Sequence, residues 1–213
     1  MKYARITRLI HLFLAVFITL QLTGGELMDV PGSGKDHRAT SLITPALAHE
    51  GTNQTTVAGS FLFEIHEYIG LFLVLIVLTR WVWGFMCRGN ANWHTMFLWL
   101  TAQGRKELAD DLRREPLSWL KGKLPEPTER DAIAKTMHGI MILTATGMVL
   151  TGLALYFGWN EQGNQTALVD GVGEIHETLS GILWTLLGGH VFMALWHQMS
   201  GHNVLGKMFS LKP

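Results

Sequence analysis

Cysteine is all but missing from this chain of 213 residues: there is one, Cys87. A single thiol excludes an internal disulfide framework, a cysteine-built zinc site and a cysteine-ligated iron–sulfur cluster. It also excludes covalent haem attachment through C-x-x-C-H, so any haem must be held without thioether bonds. Cys87 itself reads as a bystander that packs like a small hydrophobe. Charge is scarce as well. Asp, Glu, Lys and Arg make up 16 % of the residues, against roughly 25 % in soluble domains. Lys+Arg and Asp+Glu number 17 each, so no basic excess points to nucleic acid. The chain is rich instead in Met, Phe and Trp, with ten, ten and eight of them. Such a profile fits a membrane bundle, and the length suits one domain spanning 1–213.

Four stretches are apolar over the roughly 20 residues that crossing a bilayer requires. They run over about 6–23, 62–85, 137–157 and 175–197, and the second holds the unbroken run Leu71 to Leu78. The expected fold is therefore all-α, an integral membrane four-helix bundle. A basic start and the Ala46-Leu47-Ala48 triplet give the first stretch some likeness to a signal peptide. That triplet lies far beyond the apolar run, across a polar loop, so the stretch is expected to be retained as a span. Positive charge sets the orientation. Lys2, Arg5 and Arg8 precede or open the first span, nine Lys and Arg from Arg88 to Lys135 lie between the second and third, and Lys207 and Lys212 follow the fourth. The 25–60 loop has only Lys35 and Arg38, and the 158–173 loop has none. Both termini and a long connection between the second and third spans are thus expected on the cytoplasmic side. Within that connection, Trp93 to Leu120 mixes Trp and Leu with charges and reads as a helix lying along the inner membrane surface, or as a solvated loop. Pro116, Pro125 and Pro127 are expected to break it before the third span.

Five of the ten histidines lie in or at the edge of spans: His11, His66, His138, His176 and His190. Ionisable groups inside a bilayer are costly and usually functional. His176 and His190 are 14 residues apart, which returns them to within about 40° of one direction and separates them by about 21 Å along a helix. One face of one helix therefore presents an imidazole at each of two depths, the arrangement that two stacked cofactors need. His197 continues that face. An internal echo supports the pattern. Glu64-Ile65-His66-Glu67 matches Glu174-Ile175-His176-Glu177, Arg80 follows His66 by the step that separates His190 from His176, and Arg8 precedes His11 as Lys135 precedes His138. The chain reads as two related hairpins, 1–85 and 130–200. His66 and His176, one per hairpin, can face each other across the bundle. Two axial imidazoles hold a low-spin haem with no open coordination position, which moves electrons rather than binding substrate. Gly70, Gly181, Gly188 and Gly189 would let a porphyrin approach the backbone, although small residues also simply pack membrane helices.

Three plainer readings stand beside this one. A lone membrane histidine is commonly a hydrogen-bonded packing residue. Histidines together with Glu64, Glu67, Glu174 and Glu177 suit a metal-ion transporter, but those carboxylates lie at the rim rather than at mid-membrane. A non-redox membrane anchor would need none of the histidines.

Taken together, these residues resemble the bacterial cytochrome b561 family, including the cytochrome b subunits of membrane nickel–iron hydrogenases. The strongest part is His176-Glu177-Thr178-Leu179 through Gly189-His190 to Ala194-Leu195-Trp196-His197. The early His11, and His66 followed by Arg80 and Trp81, add to it. The resemblance implies two non-covalent b haems in the inner membrane of a bacterium, one between His66 and His176 and the other between His11 and His190. The internal echo suggests His138 instead as the partner of His11; under the family's pattern His138 becomes a neighbour of the inner haem or of a quinone. Arg80 and Arg8 lie at the depth of inner haem propionates, or anchor helix ends. The expected function is electron transfer between the quinone pool and a periplasmic partner: a c-type cytochrome, a hydrogenase or another dehydrogenase subunit. A quinone site using His138, His197 or His202 is a further expectation. Superoxide oxidation at the outer face is the enzymatic alternative, disfavoured by the rim glutamates. The sequence departs from compact members in its long loop, about 24–60, where His37 and His49 read as solvated.

Overall fold

The computed structural model describes residues 4–28, 57–87, 92–120, 124, 131–158 and 166–209. Among them the chain is entirely helical: α1 (Arg5–Leu27), α2 (Val57–Met86), α3 (Trp93–Met96), a 3-10 turn (Leu98–Leu100), α4 (Ala102–Leu120), α5 (Ala132–Gly158), α6 (Ala167–Met199) and α7 (Val204–Phe209). Four helices, α1, α2, α5 and α6, are long and apolar enough to cross a membrane. In lipid each main-chain amide must be satisfied within its own helix, which is why only unbroken helices serve here. Six threonine hydroxyls follow the same rule. Thr19, Thr79, Thr144, Thr146, Thr178 and Thr185 each donate to the carbonyl four residues earlier, so none strands a donor in an apolar setting.

α1 packs along α2, α5 along α6, and the two hairpins meet through α2 and α5. These are the hairpins that the internal echo implies. Side-chain bonds join the helices: Trp83 Nε1 donates to Thr7 Oγ1 and Trp81 Nε1 to Thr146 Oγ1, each at 3.0 Å. The bundle's apolar surface points outward. Leu75, Leu150 and Phe192 are each 60 % exposed or more, an arrangement suited to lipid and hostile to water.

The spans are longer than apolarity alone predicts. α5 begins five residues before Met137 and α6 eight before Ile175, so much of the expected 158–173 loop is helix. Polar caps explain the difference. Asp111 Oδ2 accepts from Ala132 N (2.9 Å), Asp131 Oδ1 accepts from Ala134 N (2.8 Å), and Thr166 Oγ1 accepts from Val169 N (3.4 Å), so these helices start in polar turns that a hydropathy window discounts. Pro116 does not break the connection as expected. It lies inside α4, which runs on to Leu120. Pro125 and Pro127 lie outside the described residues, as do Lys35, Arg38, His37 and His49.

α3 and the 3-10 turn press against the start of α5. Met96, Phe97 and Ile142 form a buried cluster edged by Trp81, Trp93 and Trp99, and a Cβ at Gly139 would collide with the Met96 carbonyl and the Trp99 ring. At the other end of the chain, α6 stops at a left-handed turn, Gly201 with φ of 87°, a conformation glycine adopts without penalty. That turn sends α7 back beneath α6 and α1.

Candidate functional site

The histidines gather at two levels of the bundle. At the first, His66 of α2 and His176 of α6 place their ring centres 6.4 Å apart with planes at 76°. At the second, His190 of α6 lies 6.1 Å from His11 of α1 and 5.1 Å from His138 of α5. α6 thus contributes one ring to each level, separated by the 14-residue step. Two imidazoles gripping one metal from opposite sides have ring centres roughly 6 Å apart, given about 2 Å per metal–nitrogen bond and about 1 Å from nitrogen to ring centre. The His66–His176 and His11–His190 separations both meet that requirement.

The hydrogen bonds of the rings indicate which nitrogen is left to bind. A hydroxyl has a single proton. Thr151 Oγ1 lies 2.8 Å from the Gly147 carbonyl, 3.1 Å from that of Met148 and 2.8 Å from His176 Nδ1. With its proton on either carbonyl it accepts from Nδ1, which assigns His176 the tautomer that keeps the Nε2 lone pair free for a metal. His138 Nδ1 donates to the Ala134 carbonyl at 2.6 Å and leaves its Nε2 free likewise. His11 Nδ1 and His66 Nδ1 are buried with no hydrogen-bond partner, a costly state for a polar atom. Neutral imidazoles in apolar surroundings, facing in pairs, suit haem iron.

Sequence reasoning missed several neighbours of these rings. A Cβ at Gly25 would lie 3.5 Å from His66 Cε1, and one at Gly152 would lie 3.4 Å from His176 Cε1. A signal for both was present. Gly25 follows His11 by 14 and Gly152 follows His138 by 14, the step already seen in the second helix of each hairpin. Of the glycines proposed for cofactor approach, Gly70 faces the Gln21 amide (3.1 Å), Gly189 faces the Met137 methyl (3.6 Å), and Gly181 and Gly188 have open space beside them. Phe209 of α7 comes within 5.9 Å of His11. Arg80 contacts Met96 Sδ and lies close to His138. Arg8 stands one turn before His11 on α1. His197 and His202 do not join the second level by ring contact; they hydrogen-bond each other, Nδ1 to Nδ1, at 3.0 Å.

The sequence pattern of prokaryotic cytochrome b561 matches residues 2–211, nearly the whole chain. The chain belongs to that family. As a prokaryotic cytochrome b561 it is a multi-pass membrane protein that binds haem b and takes part in membrane electron transfer. No curated protein and no solved structure matches it. For this cytochrome, membership gives chemical meaning to the two levels of facing imidazoles.

One polar cluster lies apart from both levels. Asp111, Glu115 and Asp131 gather where α4 meets the start of α5. Burial and then the neighbouring Asp131 and Asp111 carboxylates push Glu115 up to about 7. Two of the three are already used as caps on α5.

Proposed function

We propose that this cytochrome holds two haems b and carries electrons between the quinone pool and a periplasmic redox partner in a bacterial inner membrane. The observation that carries the reading is the pair of histidine levels on α6, each ring met by another at about the separation one iron requires. His66 and His176 are the ligands of one level. His11 and His190 are those of the other: His190 meets His11 at 6.1 Å, closer to the required separation than the 5.1 Å between His190 and His138. His138 then stands beside the second level as a neighbour. A haem held by these histidines would supply a one-electron ferric/ferrous couple.

The chain's own side chains do the rest. Thr151 and the Ala134 carbonyl fix ring orientation, as outer partners of ligands generally do. The outward-facing apolar residues keep the levels within lipid. Arg80 and Arg8, at the depth of the second level, supply positive charge for haem propionates, which Arg binds well. The distribution of Lys and Arg supports a cytoplasmic side for this level and a periplasmic side for the His66–His176 level. A quinone reduced or oxidised at the cytoplasmic end exchanges two protons with two electrons, and His138 or the His197–His202 pair suits that exchange. A c-type cytochrome, a hydrogenase or another dehydrogenase would meet the opposite end.

The test is reduction of the purified protein in lipid nanodiscs by a short-chain quinol. A b-type α band is expected to grow within the mixing experiment, and to grow more slowly in His138→Ala or His197→Ala. A band that dithionite raises but quinol does not would count against the quinone connection.

A further inference from the structure

The two hairpins are equivalent in their histidines and glycines but differ in what holds the ring at the His66–His176 level. His176 has a hydroxyl for its Nδ1, from Thr151, which lies 13 residues after His138. The corresponding position in the first hairpin, 13 after His11, is Gly24. Glycine has no hydroxyl, so His66 cannot be served in the same way, and its Nδ1 is buried without a partner. Ten residues after each first histidine the hairpins differ again: Met148 in the second, Gln21 in the first. The main-chain carbonyls of both lie against the respective rings. Only Gln21 adds a polar side chain. Its Nε2 donates to the His66 carbonyl at 2.8 Å, an approach that Gly70 makes room for. Its Oε1 is buried and has no donor.

One unpaired donor and one unpaired acceptor thus belong to two residues already bonded to each other. Gln21 also lines the small cavity of about 30 Å³ between the two levels, among Ile18, Leu73, Val77, Met148 and Leu183. The other side chains lining that cavity are apolar. Leaving both groups unmatched in an apolar core would cost more than pairing them.

We infer that Gln21 is the positioning residue of His66, its side-chain oxygen taking the Nδ1 proton as Thr151 takes that of His176. The inference rests on the haem-ligand reading above. A hydrogen bond from Nδ1–H to an acceptor makes the imidazole a stronger donor to iron, which favours the ferric form and lowers the potential of that haem.

The test is a redox titration of the purified protein with its two haems resolved. In Gln21→Met, which keeps length and loses both polar atoms, one haem's one-electron equilibrium is expected to shift about tenfold toward the reduced form, ~59 mV upward, while the other stays. A Cβ at Gly24 meets nothing within 4 Å, so Gly24→Ser can place a hydroxyl where the second hairpin has Thr151. Adding it to Gln21→Met is expected to restore the lower potential. Should Gln21→Met lose haem, Gln21→Glu reads the same contact: it keeps an acceptor oxygen whether or not burial leaves it protonated, and that potential is expected to stay at or below the wild-type value. Unmoved potentials in Gln21→Met, an equal shift of both haems, a failed rescue by Gly24→Ser, or an upward shift in Gln21→Glu would each overturn the assignment. A wild-type protein without haem would instead overturn the functional reading on which it rests.

Discussion

Replacing Thr151 by Val keeps the shape of the side chain and removes the hydroxyl that meets His176 Nδ1. The loss is confined: the 2.8 Å contact to His176 Nδ1 disappears, and the Gly147 carbonyl keeps its bond within α5. A neutral hydrogen bond contributes about 0.5–1.5 kcal/mol, and stranding its buried donor costs about 1–3 kcal/mol. Loss of an outer partner typically weakens a metal site about 10–100-fold. The Met148 carbonyl already lies against the same ring and can accept part of the load, so the expected effect is at the lower end, about tenfold. The assay is haem transfer from detergent-solubilised protein to an excess of a haem-scavenging protein, followed in the Soret region. One of the two haems is expected to leave about tenfold faster, the other at the wild-type rate, and Thr151→Ser is expected to restore the slow phase. Two unchanged phases would refute the tautomer argument. Equal acceleration of both would mean that Thr151 acts through packing of α5 rather than through His176.

Three further outcomes follow from the same geometry. His190→Ala is expected to lose one haem, whereas His138→Ala retains both, as counted by pyridine haemochrome; loss in the second variant alone would make His138 the ligand. Gly139→Ala sets a methyl against the Met96 carbonyl and the Trp99 ring, an overpacking expected to cost about 1–3 kcal/mol and to lower the thermal midpoint by circular dichroism without changing haem content. Glu115, raised from its ordinary value near 4.5 to about 7 by burial and its two acidic neighbours, binds its proton more tightly folded than unfolded. Its contribution is therefore complete below about pH 4.5 and is lost as the pH rises through 7. Glu115→Gln is expected to match the wild type at pH 4.5 and exceed it in thermal stability at pH 8; a constant difference across that range would contradict the burial argument.

The four spans could be read from apolarity because lipid-facing helices have little polar surface to interrupt the pattern. Their starts could not, because Ala132 and Ala167 sit just after polar capping residues, and α4 tolerates Pro116 where a proline rule predicts a break. Histidines at two depths were legible from a 14-residue step along one helix, and the same step would have found Gly25 and Gly152 had it been applied to α1 and α5. Thr151 and Gln21 were invisible for a different reason. Each belongs to one helix and acts on a ring of another, and spacing within a helix carries no information about which neighbour it meets. The second level also holds three rings rather than two, so the echo that favoured His138 and the family pattern that favoured His190 both describe residues that are present there.

The most direct measurement is the haem-to-protein ratio of the purified chain and of His66→Ala and His176→Ala, by pyridine haemochrome against amino-acid analysis. Two haems b per chain are expected, falling to one in either variant while the remaining haem keeps its low-spin spectrum. A wild-type chain with fewer than two, or variants that retain both, would contradict the claim that facing imidazoles at two depths of this bundle carry its electrons.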